Sequence, residues 1–146
     1  MKLVAENKRA RFDYELLETY ESGLVLTGDE IKSVRLGHFS IVDCYGFIKN
    51  GECFLRNSYI KEYSNSFDAG RFGDTTRRDR KLLLHKQEIL KIKKKLETEH
   101  LTLVPTKAYF EGSNLKVEIA IARGKKLYDK RESLKKKDIE KNLRKL

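Results

Sequence analysis

Lys32 and Arg35 stand three positions apart, close enough to share one face of a helix, and four more arginines, Arg71, Arg77, Arg78 and Arg80, crowd a single ten-residue stretch. Lysine offers a phosphate a compact point charge and arginine a planar fork, so this grouping points to the chemistry of binding a polyanion. The same chemistry dominates the end of the chain. Arg123 to Leu146 holds 11 Lys/Arg against four Asp/Glu, which puts +7 of the formal +10 charge in the last 24 of 146 residues. Each cation that meets a phosphate releases condensed counterions, and terminal blocks of one sign commonly act as nucleic-acid-binding arms. A solvated solubility tail is the alternative.

Side chains that could carry a reaction do not form a known pattern. There is no phosphate loop, no paired-histidine metal motif, no Cys-x-x-Cys pair and no glycine-flanked serine, and His38, His85 and His100 are scattered singly. Asp29-Glu30 is better explained by helix capping than by acid–base catalysis. We therefore expect no enzyme, no cofactor, no metal and no small-molecule substrate. No apolar run approaches the ~18 to 20 residues needed to cross a bilayer, and Met1 to Glu6 lacks a hydrophobic signal region. With Cys44 and Cys53 as buried thiols, a cytoplasmic protein without a membrane partner is expected.

The elements that must position the cations read mostly as short strands. Phe12, Tyr14 and Leu16 alternate with polar residues, and Leu24 to Leu26 resumes an apolar stretch after Ser22-Gly23, which predicts a first hairpin. Thr27-Gly28-Asp29-Glu30 has capping-box spacing and predicts a helix from Gly28 to about Leu36, with Ile31 and Val34 inward and Gly37 at its end. Asn50-Gly51 suits a two-residue hairpin turn joining Cys44–Lys49 to Glu52–Asn57, with Lys49 facing Glu52 and Phe47 facing Phe54. In that register the two sulfurs lie on the order of 13 Å apart, too far to bridge. Residues 63 to 80 read as a long loop whose arginines suit phosphate contact. His85, Ile89, Ile92 and Leu96 recur at helical spacing. Leu101–Glu111 carries Pro105, which favours an edge strand or a bulge, and after Gly112-Ser113-Asn114 the residues Leu115, Val117, Ile119 and Ile121 alternate with Lys116, Glu118, Ala120 and Ala122.

These elements predict a mainly β fold. It is an OB-type antiparallel barrel of about six strands with two to three helices, spanning residues 1–122, followed by a basic tail, 123–146. Outside the tail the chain carries 21 Lys/Arg and 18 Asp/Glu, a net of +3, so the barrel must select its ligand with placed residues more than with bulk field. The tail has few apolar residues with which to offset the roughly 1 to 2 kcal/mol per residue that ordering costs. It is expected to stay largely disordered until it meets a polyanion.

Several long blocks, in this order, carry a resemblance. They are Asn7-Lys8-Arg9-Ala10-Arg11, Tyr14, Glu18-Thr19-Tyr20-Glu21-Ser22-Gly23, Leu26 through Arg35, Arg80-Lys81-Leu82-Leu83-Leu84-His85-Lys86, and Gly124-Lys125-Lys126-Leu127-Tyr128-Asp129-Lys130-Arg131. Together they resemble the bacterial SmpB family of SsrA-binding proteins over essentially the whole chain. The resemblance implies an OB-type barrel that binds the tRNA-like domain of transfer-messenger RNA and delivers it to stalled ribosomes. It also implies RNA-binding roles for Asn7, Glu21, Lys32, Arg35, Leu83, Lys125 and Lys126. The tail from Tyr128 through Asp129, Lys130 and Arg131 would enter the small-subunit decoding region and mRNA channel, where the Tyr128 ring would stack on a base. Glu21 is an odd choice against a polyanion unless it accepts from a base or sugar hydroxyl, or orients an arginine. Leu83 either supports the site or sits in the core. Phe12 departs from a histidine common in the family, and 64–80 matches poorly. From the residues alone, a general tRNA- or ribosomal-RNA-binding OB module without a rescue role stands as the competing reading.

Overall fold

A computed structural model describes residues 1–63 and 73–125. In chain order the elements are β1 (Lys2–Glu6), α1 (Ala10–Asp13), β2 (Tyr14–Leu24), α2 (Gly28–Arg35), β3 (Phe39–Ser40), β4 (Tyr45–Lys49), β5 (Glu52–Arg56), β6 (Tyr59–Ile60), β7 (Arg80–Leu83), α3 (Lys86–Glu99), β8 (Thr102–Glu111) and β9 (Asn114–Gly124). Hydrogen-bonded strands run in the order β1-β8-β4-β5-β7-β2-β9, and β9 pairs back with β8. Six antiparallel strands thus close the expected barrel, with β1 added along β8, while β3 and β6 form a separate two-stranded sheet.

The interior follows from alternation. Leu115, Val117, Ile119 and Ile121 of β9 point inward and are at most 4% exposed. Val34 of α2 and Ile89 and Ile92 of α3 join the same apolar cluster, which fixes both helices against the barrel. Burying a Val or Ile side chain is worth about 1.5 to 3 kcal/mol, whereas an exposed helical ion pair adds only about 0.3 to 0.5. Packing therefore holds these helices. Ala120 and Ala122, expected on the polar side of β9, are also buried, because Val104, Tyr14 and Leu16 cover them.

The Asn50-Gly51 hairpin forms in the expected register, with Lys49 opposite Glu52, Phe47 opposite Phe54 and Ile48 opposite Cys53. Both turn residues have positive φ, 54° and 76°. Gly46, in the first strand of the same hairpin, answers a different need. A Cβ there would lie 2.5 Å from Leu103 Cδ2, so only glycine lets β4 approach β8 this closely.

Two expectations fail, each for a tertiary reason. Ser22-Gly23 does not turn the chain: β2 runs unbroken for 11 residues and pairs with β9 along most of its length. Ser22 is buried with its hydroxyl donating 2.8 Å to the Val117 carbonyl, and Gly23 lies beneath Leu83, so these small residues serve interstrand packing. Phe12 falls in the helical turn α1 ahead of the strand. Pro105 meets the bulge alternative of its expectation: the register shifts between Pro105 and Lys107, while β8 pairs with β1, β4 and β9.

Candidate nucleic-acid interface

The capping box that starts α2 also anchors it. Thr27 Oγ1 accepts from the Glu30 N–H at 3.2 Å, and the Thr27 N–H donates to Glu30 Oε1 at 2.9 Å. The same carboxylate receives Arg80 Nε at 2.8 Å and is ion-paired with Arg78. Arg80 is fully buried, and its guanidinium also donates to the Ser58 carbonyl at 2.7 Å, the Ser58 hydroxyl at 2.9 Å, and the carbonyls of Thr75 and Thr76. Burial pushes the Glu30 carboxyl up, but hydrogen bonds from Arg78 and Thr27 and the charge of Arg80 outweigh it and leave the pKa below its ordinary 4.5.

This arrangement corrects the phosphate-contact reading of the arginine stretch. Arg80 opens β7 with its side chain inside the protein, and Arg78 is spent on Glu30. Arg77 donates 3.1 Å to Asn57 Oδ1 and lies 5.1 Å from the Tyr59 ring centre. Arg71 lies outside the described residues. A local run of cations reads as a wet surface in sequence; the half-buried partner, Glu30, is 50 residues away.

Lys32 and Arg35, by contrast, are exposed, and neither has an ion-pair partner among the described residues. Lys32 Nζ stands 5.4 Å from the Tyr63 ring centre, and the Arg35 guanidinium 5.8 Å from that of Phe110. Aromatic faces hold both cations without neutralising them. Arg35 shares a shallow concavity with Lys2, Phe110 and Gly112.

Glu21 and Leu83 meet in a second groove, of about 390 Å³, lined also by Gly23, His85, Glu88 and Lys116. Leu83 is 54% exposed while its neighbour Leu82 is buried, which removes the core alternative for Leu83. Glu21 Oε2 accepts 2.5 Å from the Tyr109 hydroxyl, and Lys116 Nζ lies 3.9 Å from Glu21 Oε1. Burial of Tyr109 and its bond to Glu21 push the phenol pKa up to about 12, so it is a donor at neutral pH. Tyr109 and Lys116 went unnoticed in the sequence. The Gly112 turn sets them opposite one another, so extending that hairpin register would have found both.

Asn7 is tied into the β8 bulge, its Nδ2 donating 3.1 Å to the Pro105 carbonyl and its N–H 2.8 Å to that of Thr106. It lines a third groove with Lys8, Arg11, Lys107 and Glu118. Glu118 links this groove to the second, because it pairs with Glu21 on one side and Lys107 on the other. β9 extends to Gly124, past the expected body limit of 122, and the Lys125 N–H donates 3.0 Å to the Asp13 carbonyl. Lys126, Tyr128, Asp129, Lys130 and Arg131 lie outside the described residues.

Among the described residues no group of three His, Cys, Asp or Glu side chains could hold a metal ion, and no helix is long and apolar enough to cross a membrane. The SmpB protein family profile matches residues 4–146. An SsrA-binding protein of Gloeothece citriformis is 49% identical over 97% of this chain and 90% of its own. Another, of Carboxydothermus hydrogenoformans, is 46% identical over 98% of this chain and 97% of its own. Among solved structures, a chain from work described as "tmRNA-SmpB: a journey to the center of the bacterial ribosome" is 46% identical, covers 84% of each chain and superposes with a TM-score of 0.66.

Proposed function

This chain belongs to the SmpB family of SsrA-binding proteins, and from that premise we propose how its parts divide the family's work on transfer-messenger RNA and the ribosome. The protein binds the tRNA-like domain of transfer-messenger RNA and delivers it to stalled ribosomes for trans-translation. It does so as a binding factor in the cytoplasm and catalyses no reaction. The observation that carries the reading is the family match from residue 4 to residue 146, which includes barrel and tail together.

Within the barrel, Lys32 and Arg35 supply phosphate contacts from α2. Glu21 and Leu83 read a base or ribose beside them, and Asn7, Lys125 and Lys126 extend the surface. What supports these assignments is the exposure of the two α2 cations, neither ion-paired among the described residues, and a groove that combines one exposed leucine with one oriented carboxylate. Tyr128, Asp129, Lys130 and Arg131 begin the segment that enters the decoding region and mRNA channel. The RNA-binding part, which runs through Lys126, and the tail beyond it act as separable parts.

Purification of the tagged full chain from a bacterial lysate, followed by sequencing of the bound RNA, tests the reading. Transfer-messenger RNA is the expected dominant species. Recovery of bulk tRNA or ribosomal RNA at their cellular ratios would favour the general RNA-binding module instead.

A further inference from the structure

We propose that Tyr109 is a positioning residue for RNA recognition, holding the Glu21 carboxylate at a fixed place and angle so that it accepts from an uncharged N–H or O–H donor on a nucleobase edge or ribose. The inference rests on the reading of the barrel as the RNA-binding part. A carboxylate beside a polyanion repels phosphates, so its benefit must come from a neutral donor, and donors of that kind on RNA are base N–H groups and 2′-hydroxyls. An unrestrained glutamate on a strand surface would swing away from the approaching phosphates. Glu21 is not unrestrained.

Its side chain is 52% exposed, yet Oε2 takes the Tyr109 hydroxyl at 2.5 Å and Oε1 has the Lys116 ammonium at 3.9 Å. Tyr109 is 6% exposed, so the hydroxyl is carried by a residue buried in the barrel wall. One oxygen is thus anchored, and the half-exposed carboxylate lines the same groove as Leu83 and Lys116. Leu83 gives an apolar surface against which a base or sugar face can rest. The raised phenol pKa keeps the hydroxyl protonated through the physiological range, so it stays available as a donor to Glu21.

A neutral donor contact releases no counterions, so it differs from the α2 contacts in salt dependence. Tyr109→Phe removes only the hydroxyl and keeps the ring. Titrated against a transcript of the tRNA-like domain, the full-length variant, still folded at the assay temperature, is expected to bind about tenfold more weakly, with an unchanged slope of log K against log salt. Glu21→Asp keeps the charge on an exposed site but withdraws it by one methylene, and should lose a comparable amount. The double variant should be little weaker than either single one, because both break the same placement.

Wild-type affinity in Tyr109→Phe, a loss that adds fully to that of Glu21→Asp, or a changed salt slope would each overturn the role. If Tyr109→Phe unfolds, wild-type affinity in Glu21→Asp still overturns it. Failure of the wild-type chain to bind the transcript would instead reject the underlying assignment of the barrel.

Discussion

Lys32 and Arg35 are one helical turn apart, exposed, and stacked near Tyr63 and Phe110, with no carboxylate among the described residues to neutralise them. If each meets a phosphate, Lys32→Ala combined with Arg35→Ala should lower affinity for the tRNA-like domain and reduce the salt slope by about two, roughly one per phosphate. Stability should move by no more than about 0.5 kcal/mol per site, since surface changes away from caps and core rarely cost more. Filter binding across a salt series, beside thermal melts, measures both; an unchanged slope returns the pair to an ordinary wet face. At this scale the sequence was readable where a residue acts through its own charge and exposure, as these two do. It was unreadable where the role depends on a distant partner. Arg80 looked like a phosphate ligand because Glu30 is brought to it only by folding, and Tyr109 looked like any strand tyrosine because Glu21 reaches it from two strands away.

The element that presents those cations is α2, and Glu30 is its pin. One carboxylate completes the capping box, pairs with Arg78 and balances the buried Arg80. Glu30→Gln would leave the Arg80 guanidinium uncompensated and should cost about 3 kcal/mol, as breaking a buried pair usually does. Because folding lowers the Glu30 pKa, its contribution is complete above the ordinary value of 4.5 and is lost as pH falls through the lower folded value. Urea melts from pH 7 down to about 3 should show the wild type losing stability below pH 4.5 more steeply than Glu30→Gln. Parallel curves would deny Glu30 this role. Elements governed by local chemistry were legible in advance: the Asn50-Gly51 turn in register, and α2 from Thr27 and Glu30 to Gly37, whose φ of 86° ends it. The Ser22-Gly23 hairpin was not, because a small pair serves a turn and a crowded strand crossing equally well, and only the pairing with β9 and β7 decides.

At the scale of the whole molecule, closure of the barrel by β8 and β9 seals the interior that the alternating strands define. Both cysteines are consequences of that closure. Burial pushes the Cys44 thiol up to about 12 and the Cys53 thiol up to about 11, so neither forms appreciable thiolate near neutrality. In the folded protein at pH 8, iodoacetamide should leave both unmodified over a time in which the urea-unfolded chain is fully alkylated. Mass spectrometry reads the difference, and rapid labelling of either folded thiol would mean that the barrel opens there.

The central claim is that the barrel holds the RNA while the tail does the ribosomal work. A chain stopped after Lys126 keeps β9 whole, the Lys125 bond to Asp13 and both proposed basic contacts, and removes Tyr128 and everything beyond it. Its affinity for the tRNA-like domain, measured beside its support of nascent-chain tagging on stalled ribosomes, tests that division directly. Binding within about twofold of the full chain, with tagging abolished, is the expected result. Loss of binding together with tagging, or tagging that survives the truncation, would contradict it.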